Sequence, residues 1–210
     1  MDYFLSALEL ASFSVAWIKS GMLKRRGLMF IPVLLTVVVI SETVGYLLLA
    51  KGNKWISNGV WYNYMTPLQF ICIFLLFWQN ARSHGWRLVI LGFIALTVLL
   101  TLLYVILPHS RQFNTLNFTV EAGCVAICCL HYLYECMNSN SITAIERNPL
   151  FYFALGTLFF YLAILPFRSM YNYLYVHYRV IFHGYYRLSM ILNYIMYGLI
   201  IFGILWAKKK

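Results

Sequence analysis

Seven apolar runs follow one another along the chain, at residues 3–18, 27–50, 61–79, 88–107, 117–136, 149–168 and 186–206. A helix needs about 20 residues to cross the hydrocarbon core of a bilayer, and six of the runs come close to that length or exceed it. The first is shorter and is interrupted by Glu9. The joints between runs are short, so consecutive helices should lie antiparallel as neighbours. The pattern predicts an all-α, polytopic membrane helix bundle of seven transmembrane helices, or six if the first run lies flat. No internal repeat, low-complexity tract or linker divides it, so residues 1–210 are expected to form a single domain.

Composition strengthens this picture. The chain is 62% hydrophobic and 10% charged, where a soluble domain is about 45–50% apolar and about 25% charged. Mean hydropathy is +0.75. Seven spans would use about 140 residues, which leaves no room for a soluble catalytic domain and excludes kinases, P-loop ATPases and nucleases.

The 16 Lys and Arg residues against 6 Asp and Glu give a formal charge of +10. The basic residues stand mostly at the ends of apolar runs, so they report topology rather than a direct nucleic-acid partner. Lys19, Lys24, Arg25, Arg26, Arg82, Arg87, Arg147 and Lys208–Lys210 fall on one side. Lys51, Lys54, Arg111, Arg168, Arg179 and Arg187 fall on the other. The richer side should be cytoplasmic, which puts the N-terminus outside and the C-terminus inside. The opening MDYFLSALEL has no basic region of the kind a cleaved signal peptide carries. Cys72, Cys124, Cys128, Cys129 and Cys136 all lie in or at the edge of apolar runs, so a disulfide framework is not expected.

Charged groups at membrane depth cost about 2.5–3.5 kcal/mol each and therefore face the bundle interior. Glu9, Glu42, Glu121 and Glu135 are such groups. At about 1.5 Å per residue, Glu42 lies roughly 5–6 Å and Glu121 roughly 8 Å to the outer side of the midplane. Asn63, Tyr64, Thr66, Tyr161 and Asn193 reach similar depths, and Arg168 and Arg187 are within snorkelling reach. Polarity is thus biased to the outer half. If these side chains face one another they form a pocket opening outward, with Glu42, Tyr64, Glu121, Arg168, Arg187 and Asn193 as its candidate ligand-binding residues. The competing reading is a set of interhelical hydrogen bonds that only fix packing.

The fifth run carries the tightest local pattern. Glu121, Cys124, Cys128, His131 and Glu135 are spaced three, four, three and four, a polar stripe on one helical face. Two thiols and an imidazole are potential metal ligands, but no second Cys/His cluster accompanies them, so neither a metal nor a cofactor is expected. Between the sixth and seventh runs, Tyr171, Tyr175, Tyr178, Phe182 and Tyr186 recur at steps of three and four. That spacing predicts an interfacial helix or an extension of the sixth run, carrying an aromatic belt, with a lid as the functional alternative. The seventh run has no lysine for a retinal Schiff base, and the only Asp is Asp2. No GxSxG, HExxH or phosphate-binding loop occurs.

The stretches SETVGYLL with Glu42 and Tyr46, NKWISNGVWYNYMTPLQF, VEAGCVAICCLHYLYE with Glu121, ERNPLFYFALGTLFFYL and NYIMYGLIIFGILW resemble a family of small seven-helix integral membrane proteins of Bacteroidota. Their function is unassigned. The resemblance covers most of the chain and implies a multi-pass protein of the bacterial inner membrane. It implies no activity, and the cysteine-rich fifth run departs from the family. The lack of a soluble domain also resembles small multi-spanning accessories of bacterial defence systems, including RNA-targeting CRISPR loci, which can act by making the membrane permeable.

These readings converge on a membrane-embedded binding or signalling module. Its partners would be the lipid bilayer and a small ligand, a lipid headgroup or a membrane protein, and oligomers are compatible with it. The alternative is a transporter, channel or pore-forming accessory, for which the stripe down to His131 and Glu135 is the candidate path. An intramembrane lipid-modifying enzyme is a lesser alternative, and the chain reads as more of a binder than an enzyme.

Overall fold

The structure, a computed structural model, describes residues 3–50, 58–106, 113–138 and 147–207. The helices are α1 (Tyr3–Ile18), α2 (Ser20–Arg25), α3 (Phe30–Ala50), α4 (Asn58–Asn80), α5 (His84–Ile106), α6 (Thr115–Met137), α7 (Pro149–Ser169), α8 (Tyr171–His177) and α9 (Arg179–Trp206). Six of them, α3, α4, α5, α6, α7 and α9, are long and apolar enough to cross a membrane. With no strand among the described residues, this is a multi-pass α-helical membrane bundle. Lys51, Lys54, Arg111 and the Lys208–Lys210 tail, used above for orientation, lie outside the described residues.

Local sequence explains where the helices stop. The chain turns between α2 and α3 at LKRRG. Leu28 N–H donates to Leu23 C=O at 2.8 Å and Gly27 N–H to Lys24 C=O at 3.1 Å. This is a Schellman motif. It needs Gly27 in the left-handed region, at φ 70°, and it buries Leu23 against Leu28. Asn114 caps α6, its side chain accepting from Asn117 N–H at 3.2 Å. Asn148 does the same for α7 through Leu150 N–H at 3.1 Å, with Pro149 at the first helical position, where its missing N–H costs nothing. Pro67 and Pro166 sit inside α4 and α7, which run through them unbroken.

Packing follows a ring. α1 lies on α3 and α9, α3 on α4, α4 on α6, α6 on α7 and α7 on α9. α5 lies outside, against α4 and α6, and leaves Leu88, Leu91, Leu99 and Leu102 exposed as surface for lipid tails. α1 has 16 residues, about 24 Å of helix, yet it closes the ring between α3 and α9.

Long helices alternate in direction. One end gathers the α2–α3 turn and the starts of α5 and α7, where Arg26 Nη1 donates to Arg147 C=O at 2.9 Å and Asn80 Nδ2 to Gly27 C=O at 3.1 Å. The far end is tied by Asn63, which accepts from Asn114 N–H at 2.8 Å and donates to the Tyr104 hydroxyl at 2.7 Å. Asn172 Nδ2 donates to Phe113 C=O at 3.0 Å at the same end.

Between the ends the ring is filled with hydrocarbon. Phe77 of α4 lies 6.0 Å from Tyr132 of α6 and 6.4 Å from Phe153 of α7 between ring centroids. Leu35, Phe74, Leu76, Ala16 and Ile204 complete this floor, all nearly or fully buried. The seam between α7 and α9 is the tightest. A Cβ on Gly203 would stand 2.8 Å from the Tyr152 Cβ, and one on Gly156 would stand 3.3 Å from the Met196 Cα. Small residues let helix backbones approach this closely.

The connection expected as an interfacial helix or an extension of the sixth run is divided between α8 and the start of α9. Helix α8 ends at His177, Tyr178 breaks the geometry at φ −137° and ψ 65°, and α9 begins at residue 179 rather than 186. The break folds the aromatic face back on itself. Phe182 lies 5.1 Å from Tyr171, 5.3 Å from Tyr175 and 5.5 Å from Phe167. Tyr178 and Tyr186, the other members of the series, remain exposed.

Candidate functional site

Polar side chains from five helices meet inside the far half of the ring. Glu42 of α3 accepts a hydrogen bond from the Tyr62 hydroxyl of α4 at 2.8 Å. Glu9 of α1 accepts one from the Tyr197 hydroxyl of α9, and Glu42 is among its electrostatic neighbours. Arg168, near the end of α7, attracts Glu42 and interacts electrostatically with Tyr62, Tyr161 and Tyr171. Tyr197 in turn senses Glu9, Glu42 and Tyr161.

Arg168 sits in a box of rings. Its guanidinium carbon is 5.5 Å from the Phe113 ring centroid, 5.6 Å from Phe118 and 5.4 Å from Tyr171. Ring faces attract cations, so the box holds the guanidinium at the outer rim of the cluster. Its Nε is buried and has no hydrogen-bond partner. At the rim, burial pushes the Tyr171 hydroxyl up from its ordinary pKa while the Arg168 charge pulls it down.

Glu121 of α6 is the more completely buried carboxyl. It is 1% exposed, and neither of its carboxyl oxygens has a hydrogen-bond partner. Tyr161 is its electrostatic neighbour across the α6–α7 contact. Phe118, one turn earlier on α6, and Phe70 of α4 pack with Tyr161, at centroid distances of 6.2 Å for Phe118–Tyr161, 5.3 Å for Phe70–Tyr161 and 5.7 Å for Phe70–Phe118.

Of the six residues expected to bind ligand, then, Glu42, Glu121 and Arg168 face this interior. The other three do not join them. Tyr64 is exposed and packs edge-on against Tyr104 at 6.2 Å. Arg187 is exposed on α9. Asn193 donates to Ser189 C=O of its own helix at 3.1 Å. In their places stand Tyr62 and Tyr197, which the depth argument did not single out, and Glu9, whose helix was the one in doubt.

The α6 stripe also divides. Cys128 is fully buried and Cys124 half-buried. His131 is about 80° around the helix from Glu121 at 3.6 residues per turn and stacks on Trp86 of α5, with ring centroids 3.8 Å apart and planes at 12°. Glu135 is half-buried near the basic end. No disulfide joins the five cysteines. Among the described residues no group of three His, Cys, Asp or Glu side chains converges as a metal site.

Fold and site together define a multi-pass α-helical membrane protein with a buried polar cluster in one half and an apolar floor in the other. Compared with protein-family models, curated proteins and solved structures, the chain finds no match.

Proposed function

We propose that this chain is a membrane-embedded binding module of the bacterial inner membrane, of the seven-helix kind it resembles in sequence. It receives a small ligand or lipid headgroup from the outer side. Glu42, Glu121 and Arg168 carry the binding, with Glu9, Tyr62 and Tyr197 holding the carboxyls in place. The observation that carries this reading is the one-sidedness of the interior. The polar side chains of α1, α3, α4, α6, α7 and α9 face the end away from Arg26 and Arg147, and Phe77, Phe153 and Tyr132 fill the ring below them.

A carrier or pore needs polar groups that continue to the other end. Here the α6 stripe turns away at His131 toward Trp86, which favours binding over conduction. A cluster kept only for packing would satisfy its own members, and Glu121 is left without a partner.

The test is native mass spectrometry of the protein purified in mild detergent. The wild type should retain a small-molecule mass, and the Glu42→Gln/Glu121→Gln double variant should lose it while keeping its helical circular dichroism. Equal retention by the double variant would contradict the proposal.

A further inference from the structure

The end of the bundle opposite the polar cluster is strongly basic. Lys24, Arg25 and Arg26 stand at the end of α2 and in the turn after it, Arg82 and Arg87 flank the start of α5, and Arg147 precedes α7. All but Arg26 are exposed. Glu135, half-buried, is the one carboxyl at this end among the described residues. One carboxyl cannot neutralise these six cations, so the end carries a surplus of positive charge that faces outward.

Tertiary contacts draw the three basic segments together. Arg26 Nη1 donates to Arg147 C=O at 2.9 Å, across 121 positions of chain. Asn80 Nδ2 donates to Gly27 C=O at 3.1 Å and ties the end of α4 to the same turn. Arg87 Nε donates to Ala81 C=O at 3.1 Å, which holds it against the α4–α5 joint beside Arg82. The preference of basic residues for one face of a membrane fixes the side on which they lie. It does not ask that main-chain oxygens hold them in place.

Indole rings set the level of these cations. Trp17 near the end of α1, Trp78 near the end of α4 and Trp206 at the end of α9 are all exposed at this end. Trp86, beside Arg87, stacks on His131 at 3.8 Å. Tryptophan favours the boundary between hydrocarbon and headgroups. The cations next to these rings therefore stand at the level of lipid phosphates, where lysine and arginine attract anionic lipid. A nucleic acid or an acidic protein would meet the charge from bulk water and make no use of the exposed indoles.

We propose that the basic end is a binding surface for anionic phospholipid headgroups of the leaflet around it, with Arg25, Arg82 and Arg147 as principal phosphate contacts. The inference goes beyond the ligand site at the opposite end and does not depend on it.

Native mass spectrometry of the detergent-purified protein, with added phosphatidylglycerol or phosphatidylcholine of the same acyl chains, tests it. Phosphatidylglycerol should bind about tenfold more tightly or better. Arg25→Gln/Arg82→Gln removes two exposed cations that do not tie the segments together, and should weaken its binding about fivefold for each charge lost. Arg179→Gln/Arg187→Gln, a charge-matched change at the far end, should leave it unaltered. In the wild type, raising the ammonium acetate concentration should shrink the preference through screening, a readout that needs no variant. Equal binding of the two lipids overturns the proposal, as does wild-type affinity in Arg25→Gln/Arg82→Gln or an equal loss in both double variants. A preference indifferent to ionic strength does the same. Tighter binding of a single-stranded oligonucleotide or an acidic peptide than of phosphatidylglycerol would also overturn it, and would give the surface to another class of partner.

Discussion

Replacing Gly203 by alanine lowers the stability of the bundle by about 1–3 kcal/mol, the usual range for overpacking a filled core. The added Cβ would stand 2.8 Å from the Tyr152 Cβ and 3.1 Å from its Cδ2. The nearest atom is the root of the side chain, which cannot swing away, so α7 and α9 must separate. Gly198, on the same helix, has nothing within 4 Å of its would-be Cβ. There the same replacement should stabilise by up to about 1 kcal/mol through helix propensity. Thermal unfolding of both variants in detergent checks the pair. Equal responses would mean that the α7–α9 seam is not the close contact described.

Glu121→Leu should work in the opposite direction from most core substitutions. In protein stripped of ligand it should raise stability by about 1–3 kcal/mol, because it removes a buried polar group that has no partner. Leucine occupies a similar volume without the orphaned oxygens. The same change should abolish ligand retention. Gain of stability with loss of binding is the signature of a residue kept for function. Denaturant unfolding of the ligand-free wild type and variant measures the first half, and a loss of stability would make Glu121 a structural residue instead. Added ligand should narrow the gap, since it stabilises the wild type by mass action.

Much of the fold was legible in the chain because hydrocarbon imposes a simple rule: each crossing is an apolar run of fixed length. Six predicted runs match α3 to α7 and α9 to within a few residues at most ends, and the first matches α1. The exception is the start of α9. The residues before 186, HYRVIFHGY, are neither apolar enough to count as a span nor polar enough to mark a loop. Helix formation there depends on Phe182 finding Tyr171 and Phe167, which is tertiary information.

The site was legible in depth but not in azimuth. Counting residues from the helix ends placed Glu42, Glu121 and Arg168 in one half, and there they stand. It could not choose among Trp61, Tyr62, Asn63 and Tyr64, which share a depth and differ by about 100° steps around the helix. Tyr62 turned to Glu42, Asn63 to α5 and α6 and Tyr64 to the surface. The i, i+3 and i+4 pattern of α6 had the same limit. Over ten residues a stripe drifts by about a fifth of a turn, enough to carry His131 from the ring interior to α5. Glu9 was visible as an acidic break in a short run, but whether it lay in the interior depended on α1 closing the ring.

The interior of the bundle is polar at one end and sealed at the other. Ion flux into proteoliposomes reconstituted with the purified protein tests this most directly, at acidic, neutral and alkaline pH and with sodium, potassium and ammonium gradients. No flux above that of empty liposomes is expected in any of these conditions. Flux that saturates with ion or amine concentration and disappears in Glu121→Gln would contradict it, and would make the polar cluster the entrance to a path.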